Sequence, residues 1–259
     1  MSKKKKFDSN ADGRGENYTP HLLTHNVKSK GLSTRVKGWK TNRIHHFLSR
    51  LELFYFYNLE WFSSVSDIRE QFLLNIAETE QIADEIKVKH PGNNKGVTFG
   101  MTTDFVITVQ KGIGVGEIAR TVNPSQELAN ERVIEKFEIE RIYWESREID
   151  WGIVTEKEID ANLAFNIEWI HEFKNLAVLE PLTEKLLLQM LPLIGEYSVN
   201  QNNTLSELAI ACDVKLGLKT GMTLTGIKHL LATRKIKVNM HKKINPGLKI
   251  SELELSIPD

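Results

Sequence analysis

Residues 102–155 carry the pattern that most restricts the fold of this chain. TTDFVITV (102–109) and GEIARTVN (116–123) alternate as half-buried strands do, and the turn Lys111-Gly112-Ile113-Gly114 joins them into a hairpin. PSQELANERVIEKFEIERIYWESREI (124–149) switches to helical spacing, with Pro124 near its start and Leu128, Val133, Phe137 and Tyr143-Trp144 on an apolar face. DWGIVT (150–155) then reads as a short apolar strand. A hairpin that crosses through a helix to a further strand predicts a mixed sheet with helices packed on it.

The flanking segments extend this outline. VSDIREQFLL (65–74) alternates like a strand, and HHFLSRLELFYFYNLEW (45–61) places Leu48, Leu51, Tyr55 and Leu59 at helical spacing. Ser49 is a candidate cap for that helix, with Glu52 three residues on as a capping-box acid. Residues 1–40 and the connection through HPGNNKG read as irregular. A second unit is expected from near residue 158, dividing the chain into 1–157 and 158–259. There TLSELAIACDV (204–214) and TLTGIKHLLATR (223–234) read as short helices, and KIKVNM (235–240) and LKISELEL (248–255) as strands around Asn245-Pro246-Gly247. Two helices and a hairpin form the outline of a winged helix. The expected fold class is α/β, a mixed-sheet domain followed by a winged-helix-like one.

Charge is distributed unevenly within a chain of zero net charge. Residues 1–50 hold twelve Lys/Arg against three acids, the middle is acidic, and Val214–Ser251 holds nine Lys/Arg and no acid. Basic ends around an acidic middle point to a polyanionic partner, with nucleic acid the leading candidate. Lys37, Lys40 and Arg43 before the first helix, and Lys228, Arg234, Lys235 and Lys237 in the second unit, are candidate phosphate contacts. The single Cys212 excludes an internal disulfide or a cysteine-based zinc site. No apolar run approaches the roughly 18 residues of a membrane span, and MSKKKKFDSN lacks a signal-peptide core, so a cytoplasmic protein is expected.

Acidic residues near the hairpin raise one chemical reading. Hydrolysis of a phosphodiester with Mg²⁺ needs carboxylates converging on one point, because the ion prefers hard oxygen ligands and keeps several waters. Asp104 on one strand and Thr121 and Asn123 on its partner are expected to share a face, with Glu52 supplying a second carboxylate from the preceding helix. Taken singly, Glu52 also fits an exposed helix acid and Asp104 a turn residue. The scattered histidines, His45-His46 and His90, lack ligand spacing and read as surface or satisfied core groups.

IHHFLSRLELFYFYNLEW, DIREQF, TTDFVI, ERVIEKFEIERIYW and EIDANLAFNIEWI occur in this order, with similar spacing, in the TnsA family. These are endonuclease subunits of heteromeric cut-and-paste transposons. The chain resembles that family over residues 10–175 and more loosely beyond. The resemblance implies a restriction-endonuclease-like catalytic domain and a winged-helix C-terminal domain. It implies Mg²⁺-dependent cleavage (Mn²⁺ substituting) at the 5′ ends of a transposon in double-stranded DNA, in the bacterial nucleoid. The implied partners are a DDE transposase, TnsB, and an AAA+ regulator, TnsC. By position, Glu52 and Asp104 match the family's catalytic, metal-binding carboxylates, and the Val122 carbonyl a further ligand.

The departures are at Thr121, a metal-site position where the family has Gln or an acid, and at Asn123, where it has the catalytic lysine. Arg50 also stands where an acid is usual. Lys136, Arg120 and Lys111 are candidates to replace the missing cation. The alternative function is a catalytically impaired DNA- and partner-binding subunit of the same complex.

Overall fold

The computed structural model describes residues 13–24, 33–92, 97–112 and 114–258. The lysine run at 3–6 lies outside them. The chain divides into two compact units, Met1–Ile159 and Asp160–Asp259.

The first unit is built on a four-stranded sheet. Its strands are β3 (Val65–Leu73), β4 (Thr102–Lys111), β5 (Gly114–Val122) and β6 (Asp150–Val154), side by side in that order. The first three form an antiparallel meander, and β6 joins β5 in parallel. The crossover helix α3 (Glu131–Glu145) makes that parallel return, as the sequence pattern requires. Gly112 takes φ +58 in the β4–β5 turn, a left-handed conformation that glycine adopts without steric cost.

Each face of this sheet is covered. On one side Val106 and Ala119 pack with Ile139, Tyr143 and Trp144 of α3 and with Ala83 of α2 (Ile76–Glu85). On the other side Phe105 meets Phe47 and Tyr55. Phe47 belongs to β2 (Ile44–Phe47), which pairs with β1 (Thr34–Lys37), and Tyr55 to α1 (Arg50–Trp61). Within the stretch 45–61, residues 45–47 belong to β2, and α1 starts after Ser49, the expected cap, whose side chain accepts from the Glu52 N–H. Likewise the long helix does not begin at Pro124: Ser125–Ala129 is a 3₁₀ turn, and Asn130 caps α3.

A buried ion cluster fixes β2 against β3. The Glu70 carboxylate receives Arg43 Nη1 at 2.8 Å and a second bond from Arg43 Nη2, while His45 Nδ1 lies 2.7 Å away. Burial alone would raise the Glu70 carboxyl, but Arg43 and His45 outweigh it and hold it down to about 2. Arg43 is therefore not a phosphate contact. It is a core cation, because an unpaired buried carboxylate would be far costlier than an exposed one.

In the second unit α6 (Leu205–Leu216) opens with a Thr204–Glu207 capping box and closes at Gly217, φ +65. The next helix, α7 (Met222–Ala232), starts at Gly221, which has no capping side chain. Asp213 of α6 supplies it, with its carboxylate oxygens accepting from Gly221 N and Thr223 N at 2.7 Å each. Two further helices precede this pair, α4 (Ala161–Ile170) and α5 (Glu184–Ser198). The expected hairpin is not formed: Lys237 and Ser256 make one isolated antiparallel bridge, and Ile250–Leu253 is a helical turn, α8. Ile250 and Leu253, three apart, are both buried, and only a helical turn puts them on one side.

Arg43→Met, which leaves Glu70 buried without its bidentate partner, is expected to cost about 3–5 kcal/mol in urea unfolding at pH 7. Lys37→Ala, at an exposed position, is expected to stay within about 0.5 kcal/mol of the unsubstituted protein.

Candidate active site

Two strands break their alternation at the same level of the sheet. Thr103 and Val106 both face α3: Thr103 Oγ1 donates to Glu140 of that helix, and Val106 packs on Ile139. The two residues between them, Asp104 and Phe105, therefore both turn to the α1 side. Opposite them on β3, Gln71 adopts φ +49, and Glu70 and Gln71 likewise both turn toward β2 and α1. A regular strand would send Asp104 into the apolar layer under α3. The paired break delivers it to Glu52.

Glu52 is a buried acid, not a solvated one. Its carboxylate accepts from Leu48 N at 3.0 Å and from Ser49 Oγ at 2.8 Å, which serves the helix start. The same Oε2 atom lies 3.3 Å from Gln71 Nε2, and that nitrogen lies 3.4 Å from Asp104 Oδ1. One amide thus bridges the two acids. The other Asp104 oxygen accepts from Val122 N at 2.7 Å, bringing the Val122 peptide to the site.

Burial raises the Glu52 carboxyl, against the bonds from Leu48, Ser49 and Gln71. Asp104 is raised well above the usual range, first by desolvation and then by the Glu52 charge. Glu140, buried under the sheet, adds a further negative field and is itself pushed up to about 7 by desolvation.

Among the described residues no Lys, Arg or His pairs with Glu52 or Asp104. Two adjoining carboxylates without a counter-cation suit a hard divalent ion. No group of three His, Cys, Asp or Glu side chains among the described residues is placed to hold a metal. The donor set therefore fits an ion held by two carboxylates and completed by waters and substrate phosphate, as Mg²⁺ is, better than a protein cage.

Thr121 departs from the expected placement. Its hydroxyl donates to Glu140 Oε2 at 2.7 Å and accepts from Trp151 Nε1 at 3.2 Å, on the α3 side of the sheet and away from the Asp104 face. Asn123 is tied by its backbone N–H to Val154 O at 3.0 Å, and its Nδ2 is a buried donor with no partner among the described residues. Arg120 is committed to Asp150, 2.5 Å away. Lys136 stands one turn before Glu140 on α3.

Of the candidate phosphate contacts, Lys37, Arg234, Lys235 and Lys237 are exposed. Lys40 Nζ donates to the carbonyls of Phe62 and Val65 at 2.8 and 2.7 Å. Lys228 Nζ lies over the Trp169 and Phe173 rings at 4.5 and 4.3 Å.

The sequence reading missed Gln71 and Glu140. Glu140 had a signal: at helical spacing it falls on the same stripe as Val133, Phe137 and Trp144, an acid among apolar residues. Gln71 had none, since its left-handed backbone is set by tertiary contacts.

A mixed meander-and-crossover sheet, with an acid from a central strand meeting an acid from a flanking helix, is the site layout of a metal-dependent nuclease. Residues 62–156 match the family described as TnsA-like endonuclease N terminal, and residues 158–240 match TnsA endonuclease C terminal. The transposon Tn7 transposition protein TnsA of Escherichia coli is 39% identical over 249 residues, covering 96% of this chain and 89% of that protein. The chain belongs to the TnsA family of DNA endonucleases.

The buried Glu140 gives a pH-dependent stability. Its folded carboxyl, at about 7, lies above the roughly 4.3 of an unfolded glutamate, so its contribution is complete below about pH 4 and is lost as pH rises through 7. The difference amounts to about 4 kcal/mol. Glu140→Gln keeps an acceptor for Thr103 and Thr121. It is expected to flatten the decline in unfolding free energy between pH 5 and 8 and to exceed the unsubstituted protein in stability at pH 8.

Proposed function

We propose that this chain is the TnsA-type subunit that cuts the 5′ ends of a transposon, and that Glu52 and Asp104 hold the divalent ion, Mg²⁺ in the cell and Mn²⁺ as a substitute. The observation that carries this reading is the convergence of the two acids on one amide, with no cation paired to them among the described residues. When bound, the ion would orient the attacking water and stabilise charge on the leaving oxygen. The Val122 carbonyl is the third donor, on the residue whose backbone N–H already donates to Asp104. Thr121 is withdrawn from the ligand set, because its hydroxyl serves Glu140.

The remaining residues set the charge of the site. Burial pushes the Glu140 carboxyl up to about 7, and in its protonated form it adds no repulsion on Asp104. Asn123 offers an amide donor and no transferable proton where the resemblance expects a lysine. It can orient an oxygen but cannot neutralise it, so the chemical step runs slower than with the lysine.

The first unit, with the basic residues ahead of α1, is the catalytic domain of restriction-endonuclease type. The second unit is read as a winged-helix-like domain whose wing is reduced to the Lys237–Ser256 bridge. Lys37, Arg234, Lys235 and Lys237 are exposed to meet phosphates of the transposon-end duplex. The transposition assembly supplies a TnsB-type DDE transposase for the other strand and a TnsC-type AAA+ regulator. No helix among the described residues is long and apolar enough to cross a membrane, in keeping with a cytoplasmic, nucleoid-associated complex.

Nicking of a plasmid carrying the transposon ends, with the transposase present in Mg²⁺ or Mn²⁺, tests this reading. The unsubstituted chain is expected to nick, Asp104→Ala to lose nicking while remaining folded, and Asn123→Lys to raise the rate by about 10²–10³. Undiminished nicking by Asp104→Ala would sink the assignment.

A further inference from the structure

Gln71 is the residue that touches both acids. Its Nε2 lies 3.3 Å from Glu52 Oε2 and 3.4 Å from Asp104 Oδ1. The edge of the amide that faces both acids is its N–H edge, which an unprotonated carboxylate oxygen can accept. The other edge, Oε1, meets the Thr102 hydroxyl at 3.4 Å. The residue is buried and sits at φ +49, a conformation that a glutamine keeps only where its surroundings enforce it. They do so from both sides: His21 N donates to the Gln71 carbonyl at 3.1 Å, and the preceding Glu70 is locked by Arg43 and His45.

Two adjoining carboxylates need an N–H edge when no cation lies between them, and they cannot keep it when one does. A cation repels the amide nitrogen and attracts the amide oxygen. The Thr102 hydroxyl can donate or accept, so half a turn of the Gln71 amide reverses that bond without leaving either partner unsatisfied.

We propose that Gln71 is a two-position amide. Its N–H edge bridges Glu52 and Asp104 in the cation-free protein, and its Oε1, turned over, becomes a ligand to a divalent cation held by the same pair. Gln71 thereby supplies from β3 the neutral side-chain oxygen that Thr121 withholds. This rests on the reading of Glu52 and Asp104 as the cation-holding pair.

Calorimetric titration of the full chain with Mn²⁺, joined to thermal melts with and without Mn²⁺, tests both levels. Asp104→Ala is expected to abolish Mn²⁺ binding. If it binds as the unsubstituted chain does, the reading of the site fails and takes the proposal with it. With that arm satisfied, Gln71→Leu, which keeps bulk and removes both edges, is expected to weaken Mn²⁺ binding about tenfold or more. Gln71→Glu keeps an oxygen and drops the N–H edge. It is expected to bind Mn²⁺ at least as tightly as the unsubstituted chain while melting at a lower temperature without the ion. Unchanged or tighter binding by Gln71→Leu overturns the proposal, and so does weaker binding by Gln71→Glu. The second comparison decides alone if the leucine variant fails to fold, and it separates a ligand from a residue that merely fills space.

Discussion

Glu70 joins three parts of the first unit that are distant in sequence. Arg43 and His45 reach its carboxylate from around β2, and the Tyr18 hydroxyl donates to its backbone carbonyl from the N-terminal segment at 2.9 Å. Arg43 also spends a bond on the Ile68 carbonyl, so the guanidinium grips β3 at two successive levels. With Glu70 held on both its side chain and its backbone, the next residue has little freedom, and Gln71 is placed in its left-handed conformation between the two acids. The geometry between Glu52 and Asp104 is in this sense inherited from an ion cluster that has no chemical task of its own.

The two acid groups in this layer are treated in opposite ways. Glu70 is given a guanidinium and an imidazole as partners and is held down to about 2. Glu52 and Asp104 are given N–H and O–H donors but, among the described residues, no cation, and both are driven toward protonation. Low dielectric makes that difference large, since an uncompensated charge near another buried charge costs far more than it would in water. A chain selected for stability alone would have neutralised the second pair as it neutralised the first. Leaving the pair short of positive charge is what marks it as a site.

Much of this was legible from residues alone, for identifiable reasons. The β4–β5 hairpin and the crossover to β6 follow from alternation, a glycine turn and a handedness rule, while the pairing of Glu52 with Asp104 was expected from the family resemblance. Other elements hid behind competing signals. Pro124 looks like a helix start but precedes a 3₁₀ turn, and the true cap is Asn130. Asn75 and Glu78 carry the start of α2 in plain sight, with the Asn75 side chain accepting from the Glu78 N–H, within a stretch that reads as polar connection. Arg43 looks like one of several basic surface residues, because nothing local distinguishes a cation destined for a buried glutamate 27 residues on. Parity put Thr121 beside Asp104, and parity fails there because the pleat is broken between Thr103 and Val106.

The corner between α6 and α7 shows a different economy. Asp213 is a residue of the first helix and the cap of the second, so neither helix end is complete without the other. Unwinding the last turn of α6 removes the acceptor from the opening N–H groups of α7, and unwinding the start of α7 strands a buried carboxylate. Fraying, which ordinarily begins at helix ends, is here shared by two ends at once. Amide protons on the two sides of the corner are therefore expected to share one opening event.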